Sequence, residues 1–163
     1  MKQNKKVQKA IYSGTFDPIS KGHLSIIKRS AKMFDEVIVA VAKSSAKKPL
    51  FTLKQRQEML SISLKGLNNV KVIAFEGLMV DFCQTHHANI ILRGVRNVGD
   101  FDYELQMAYA NNDLNHRIET LFLLPSLKYS FVSSSLIRTL LHFQTSVKHL
   151  MPKSAYKLMK GYL

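Results

Sequence analysis

The chain is predicted to fold as an α/β protein, because short β-branched apolar runs alternate with stretches of helical spacing, and each run ends on Gly, Pro, Ser or Lys. The first run, Ala10 to Tyr12, precedes a stretch in which Leu24, Ile27, Ala31 and Phe34 recur at helical intervals. The second, Val37 to Ala42, is continuously apolar, as expected of a strand buried on both faces. Thr52-Leu-Lys-Gln55 then carries the Thr-x-x-Gln capping signature, and Leu53, Leu60 and Leu64 extend a helix from it. A third strand over Val70 to Phe75 leads to a helix over Leu78 to His87, and a fourth strand covers Asn89 to Leu92. The next helix runs from about Phe101 to Leu114, with Phe101, Leu105 and Ala108 on one face, and Glu119 to Leu124 forms the fifth strand. A helix over Ser133 to Leu141 and a last one, opened by Pro152 and ending near Leu163, complete the chain.

Strands joined by helices require right-handed crossovers, so the five strands form a parallel, Rossmann-like sheet flanked by helices, with further helices at the C-terminus. Ligands then belong at the carboxyl ends of the strands. The length of 163 residues and 46% apolar content fit one domain spanning residues 1–163, without linker or repeat. The start, Lys2-Gln-Asn-Lys-Lys-Val-Gln-Lys9, reads as a basic extension over residues 1–9. No signal-peptide pattern or membrane-spanning run occurs, and the single Cys83 has no partner for a disulfide or CxxC site, so a cytoplasmic location is expected with Cys83 as a buried thiol. Lys and Arg number 24 against 11 Asp and Glu, a net charge of +13, which calls for an anionic partner. Charge alone does not choose among nucleic acid, an acidic membrane and small polyphosphates.

Four clusters follow strands. After the first comes Tyr12-Ser-Gly-Thr-Phe-Asp-Pro-Ile-Ser-Lys-Gly-His23, where Gly14 and Gly22 let backbone approach a ligand, Thr15 offers a hydroxyl, and His23 sits in the first helical turn, where free N–H groups and the dipole favour phosphate. It is neither a GxxxxGK loop nor a GxGxxG fingerprint, which argues against ordinary kinases and dehydrogenases. The second cluster, Lys43-Ser-Ser-Ala-Lys-Lys-Pro49, presents Lys47 and Lys48 to an anion, although taken alone it reads more readily as a solvated basic loop. The third, Leu92-Arg93-Gly94-Val95-Arg96, places two guanidinium forks at a strand end, and Glu104 follows on the next helix as an exposed carboxylate or a ribose-hydroxyl acceptor. The fourth, Tyr129-Ser-Phe-Val-Ser-Ser-Ser135 before Leu-Ile-Arg138, puts three serines at a helix start, as caps or as anion binders. Their shared position along one rim of the sheet is stronger evidence than any one of them.

Ser20-Lys-Gly-His23, Lys47-Lys-Pro49, Arg93-Gly-Val-Arg96 and Val132-Ser-Ser-Ser-Leu-Ile-Arg138 together resemble the nucleotidyltransferase superfamily, and within it the bacterial phosphopantetheine adenylyltransferases. The resemblance runs from Ala10 to the end. It implies transfer of the adenylyl group of ATP to 4′-phosphopantetheine, giving dephospho-coenzyme A and pyrophosphate, and also a homohexamer and Mg²⁺ carried on the ATP phosphates. By position it implies that Thr15 and Phe16 hold both substrates, that His23 binds ATP and stabilises the transition state, that Lys47 neutralises charge, and that Arg93 takes the acceptor phosphate. Gly94, Val95, Arg96, Glu104 and the run Tyr129, Ser130, Phe131, Val132, Ser133, Ser134 and Ser135 would line the ATP pocket, and Met79 would contact the pantetheine arm. Ser13 and Tyr129 depart from the proline and tryptophan expected in many or some relatives, and Ser20 keeps the hydroxyl of the family's His/Thr-x-Gly-His element.

A phosphate acceptor is already a nucleophile, so in-line displacement at the α-phosphate needs positioning and charge neutralisation rather than a covalent intermediate or a general base. No His, Cys or Asp cluster has metal-ligand spacing, and the adjacent His86 and His87 point apart on a helix. Two alternatives stay open: another phosphate monoester such as nicotinate mononucleotide as acceptor, and a basic nucleic-acid-binding module, for which the charge is the support but no recognition motif is present.

Overall fold

The computed structural model describes residues 7–43 and 48–163. Five strands, β1 (Lys9–Gly14), β2 (Glu36–Ala42), β3 (Val70–Phe75), β4 (Ile90–Gly94) and β5 (Glu119–Leu123), form one parallel sheet in the order β3-β2-β1-β4-β5. Between them lie α1 (Lys21–Met33), α2 (Leu53–Ser63), α3 (Met79–Thr85) and α4 (Val98–Leu114), and α5 (Ser134–His142) and α6 (Lys153–Met159) follow the sheet. The chain winds outward from β1 to β3, then returns to the other side of β1 with β4. The carboxyl ends of β1 and β4 therefore flank the point where the strand order reverses, the place where open α/β sheets hold ligands.

Alternation along the strands divides the core in two. Tyr12, Val37, Val39 and Val41 face α1, α2, α5 and α6, where Ile27, Leu60, Ile137 and Met159 are buried, while Ile11, Ile38, Ala40 and Ile91 face Val80 and Cys83 of α3. Cys83 is fully buried, as expected. The capping signature at Thr52 operates as read: Gln55 N–H donates to Thr52 Oγ1 at 3.2 Å and Thr52 N–H donates to Gln55 Oε1 at 2.9 Å.

The boundaries shift where polar caps decide them. α4 opens at Val98 rather than Phe101 because Asn97 Oδ1 accepts the Asp100 N–H at 2.9 Å. Ser133 caps α5 instead of belonging to it, and α3 and α6 are shorter than their apolar spacing implies. A 3-10 turn at Leu127–Tyr129 was not anticipated. Lys9, the last residue of the basic extension, pairs opposite Glu36 at the start of β1, and residues 1–6 lie outside the described residues.

Candidate active site

A cleft of about 510 Å³ opens at the carboxyl ends of β1 and β4. Its walls take Gly14, Thr15 and Phe16 from the turn after β1, His23 from α1, Lys48 and Pro49 from the segment before α2, Arg93, Gly94 and Arg96 after β4, Glu104 from α4, and Val132 to Ser135 at the start of α5. Segments more than a hundred residues apart in the chain thus share one cavity. Ser134 Oγ donates to Pro18 O at 2.8 Å, fastening the start of α5 to the β1 turn. Lys47 lies outside the described residues, and its neighbour Lys48 lines the cleft.

His23 occupies the third position of α1, where it completes a capping box with Ser20. The Ser20 backbone N–H donates to His23 Nδ1 at 3.1 Å, and Ser20 Oγ lies 3.2 Å from the same nitrogen. Because Nδ1 must accept that N–H, a neutral imidazole carries its proton on Nε2. The ring is held edge-on by Phe16, with centroids 5.1 Å apart. Burial, reinforced by the positive charge of Arg96, pushes the His23 pKa down to about 4, so the ring is a neutral hydrogen-bond donor at physiological pH. Phe16 itself adopts φ 49°, a left-handed conformation that a bulky residue accepts only where the surroundings enforce it.

Arg93 is gripped on two sides. Its Nε and Nη2 donate to the two Glu104 carboxylate oxygens at 2.5 and 2.6 Å, and Nη1 donates to Ser13 O at 2.9 Å and Ser13 Oγ at 2.6 Å. One Nη2 N–H is left over, and the guanidinium plane is fixed. Ser13 thereby acquires a role that a proline could not fill. Arg96 forks onto Asp100 at 2.7 and 3.0 Å. At α5, Ser133 Oγ accepts the Leu136 N–H at 3.0 Å, while the N–H groups of Ser134 and Ser135 belong to the open first turn, a ready anion site beside the cleft.

Two glycines permit the close packing. A Cβ on Gly22 would lie 3.3 Å from Val132 O and 3.4 Å from Tyr129 O, so the bare α1 backbone lets the 129–132 turn approach. A Cβ on Gly94 would come within 2.7 Å of Ile26 Cδ1.

Several expected residues are set back from the cleft. Val95 is buried, with its N–H donating to Leu123 O at 3.0 Å, so it offers backbone alone. Ser130 Oγ donates to Leu127 O at 2.9 Å, Phe131 is 64% exposed, and Tyr129 packs beside Lys21 and Lys128. Met79 lines an adjoining, mainly apolar pocket of about 360 Å³ that shares Ser13, Arg93 and Glu104 with the cleft. Arg138, which closes the serine-rich motif, also lines the cleft, donating to Asp17 O at 2.7 Å and Ser135 Oγ at 3.2 Å. Asp17 and Arg56 are two further buried charged residues near the cleft whose roles the sequence motifs do not single out. Asp17 lies in the Thr-Phe-Asp-Pro motif, whereas Arg56, one charged residue among several in α2, gives no sign in sequence of being buried.

Residues 11–140 match the cytidylyltransferase-like family, the class of nucleotide-binding protein that this fold and cleft define. The chain is 49% identical over 146 residues to the phosphopantetheine adenylyltransferase of Helicobacter acinonychis, covering 90% of this chain and 93% of the relative. To those of Campylobacter curvus and Campylobacter hominis it is 50% identical over 151 residues and 52% over 143, covering 93% and 88% of this chain and 97% and 90% of the relatives. The chain belongs to the phosphopantetheine adenylyltransferase family of nucleotidyltransferases. Its fold is also that of a solved Vibrio parahaemolyticus protein assigned provisionally as a nicotinate-nucleotide adenylyltransferase, with a TM-score of 0.73 at 18% identity over 95% of this chain and 93% of that one.

Proposed function

We propose that the chain transfers the adenylyl group of ATP to 4′-phosphopantetheine. An oxygen of the acceptor phosphate attacks the α-phosphorus in line. As that P–O bond forms, the bond from the α-phosphorus to the bridging oxygen breaks and its electron pair leaves on pyrophosphate. The observation that carries this reading is the meeting of four strand-end segments around a neutral His23 whose Nδ1 is already engaged by Ser20. The Nε2–H then faces charge that grows on the α-phosphate oxygens, an interaction stronger in the transition state than in the ground state.

The remaining roles follow from position. The open first turn of α5, with Arg96, Arg138 and Lys48, receives the β- and γ-phosphates. The free N–H of Arg93 takes the acceptor phosphate, Glu104 faces the ribose hydroxyls, Thr15 and Phe16 shape the floor, and Lys47 adds positive charge. The apolar pocket at Met79 accommodates the pantetheine arm. Among the described residues no three His, Cys, Asp or Glu side chains group as a metal site, and the carboxylates of Asp17 and Glu104 are taken by N–H donors. These residues suit Mg²⁺ that travels on the triphosphate, where it would neutralise phosphate charge. No helix of the described residues is long and apolar enough to cross a membrane, in keeping with a cytoplasmic enzyme. The homohexamer draws support from α4, which buries none of its residues and leaves Val98, Tyr103, Tyr109 and Leu114 exposed.

The test is conversion by the purified chain of ATP and 4′-phosphopantetheine to dephospho-coenzyme A and pyrophosphate, run beside nicotinate mononucleotide. Product with phosphopantetheine alone supports the assignment; product with nicotinate mononucleotide alone, or oligonucleotide binding without turnover, refutes it.

A further inference from the structure

We infer that Arg56, a residue of α2 that contributes no atom to the cleft wall, is a positioning residue that ties the end of β2 and the segment before α2 to the turn after β1. Arg56 is 2% exposed. An arginine so far from solvent is held only where its N–H groups find acceptors. Here Nη1 donates to Thr15 O at 2.7 Å and to Ala42 O at 2.9 Å, and Nε donates to Phe51 O at 3.1 Å. Those carbonyls belong to the β1 turn, to the last residue of β2 and to the residue before the α2 cap.

Asp17 closes the bracket from the other side. Its Oδ2 accepts the Leu50 N–H and its Oδ1 accepts the Phe51 N–H, each at 2.9 Å. Asp17 is 3% exposed and sits in the β1 turn itself. The end of β2 at Ala42 is therefore held by one hydrogen bond, and Leu50 and Phe51 before α2 by three more. All of them refer back to residues 15–17, within the turn that carries Thr15 and Phe16. Arg138 adds the α5 side, with Nη1 2.7 Å from Asp17 O and 3.6 Å from Asp17 Oδ2. A planar guanidinium divides its donors between Nε and Nη1 in fixed directions and so reaches carbonyls on three segments, whereas the three N–H groups of a lysine radiate from a single nitrogen.

This inference rests on the adenylyl-transfer reading, and the experiment separates the two. Arg56→Gln removes the buried guanidinium that serves three carbonyls and can fail to fold, so Arg56→Lys, which keeps the charge, is measured beside it. For each folded variant, circular dichroism and the melting temperature are recorded, then kcat with both substrates saturating, and the ATP Kd without acceptor. The expected result for R56K is a folded protein melting well above the assay temperature, with kcat at least tenfold lower and the ATP Kd changed less than threefold. The turn carrying Thr15 and Phe16 would be misplaced for the transition state while the nucleotide still binds. R56K that melts lower yet keeps wild-type kcat assigns Arg56 a structural role alone and overturns the inference. An equal loss in kcat and in ATP binding also overturns it. Wild-type protein without phosphopantetheine turnover overturns the reading on which it rests.

Discussion

Replacing His23 by alanine removes two contributions that the structure allows to be separated. The first is chemical: Nε2–H is lost as a donor to the α-phosphate. Removal of one preorganised donor to a developing oxyanion lowers kcat by about 10²–10³, and at about 1.36 kcal/mol per factor of ten the lower figure is about 2.7 kcal/mol. The second is architectural. Ser20 is fully buried, and without Nδ1 its backbone N–H has no acceptor, an orphaned donor that costs about 1–3 kcal/mol. For a chain of this length such a loss lowers the melting temperature by about 5 °C. The fold itself supplies the control. In α2 the equivalent capping position is held by Gln55, whose Oε1 accepts the Thr52 N–H. His23→Gln is therefore expected to regain the melting temperature lost in His23→Ala while kcat stays at least tenfold below wild type. The assay is pyrophosphate release with both substrates saturating, alongside calorimetric unfolding and ATP titration, where affinity is expected to hold. A folded His23→Ala protein with kcat within threefold of wild type would refute the reasoning. So would a His23→Gln protein that regains stability and turnover together, since His23 would then be a cap and nothing more.

Because burial and Arg96 push the His23 pKa down to about 4, the acid limb of kcat/KM between pH 5 and 7 is expected to be that of the acceptor phosphate, whose second pKa is about 6, and to keep its midpoint in His23→Gln. A His23 pKa depressed in the folded state contributes stability that is present above pH 6.5 and is lost as pH falls from there towards 4, so the melting temperature of His23→Ala should vary less over that window. Gly94→Ala forces a methyl to within 2.7 Å of Ile26 Cδ1 and 3.1 Å of Tyr12 Oη, and is expected to cost about 1–3 kcal/mol by denaturant titration; an unchanged midpoint would contradict the packing described. Cys83, fully buried and with its thiol pushed up to about 11 by burial, should react with a disulfide reagent at pH 8 only as fast as the protein opens.

The elements that could be read from sequence are those governed by local rules. Apolar β-branched runs located all five strands, and Thr52-x-x-Gln55 located the start of α2, because patterning and capping chemistry act over a few residues. The rim position of the four clusters also followed, since a parallel sheet fixes where its carboxyl ends lie. What sequence could not supply was pairing across long separations. Arg93 and Glu104 appeared as separate candidates, yet each is the other's partner, with Ser13 as the third member. Arg56 looked like any charged residue on a surface helix until the fold placed three backbone carbonyls around it. The tautomer of His23 needed Ser20 in place before it could be stated.

The most direct measurement of the central claim is a crystal structure of the chain with a non-hydrolysable ATP analogue. The account predicts the α-phosphate within hydrogen-bond reach of His23 Nε2 and the outer phosphates at the N–H groups of Ser134 and Ser135. An analogue seated instead in the basic groove bounded by Lys21, Lys28 and Lys157, with the cleft at the β1 and β4 ends empty, would contradict it.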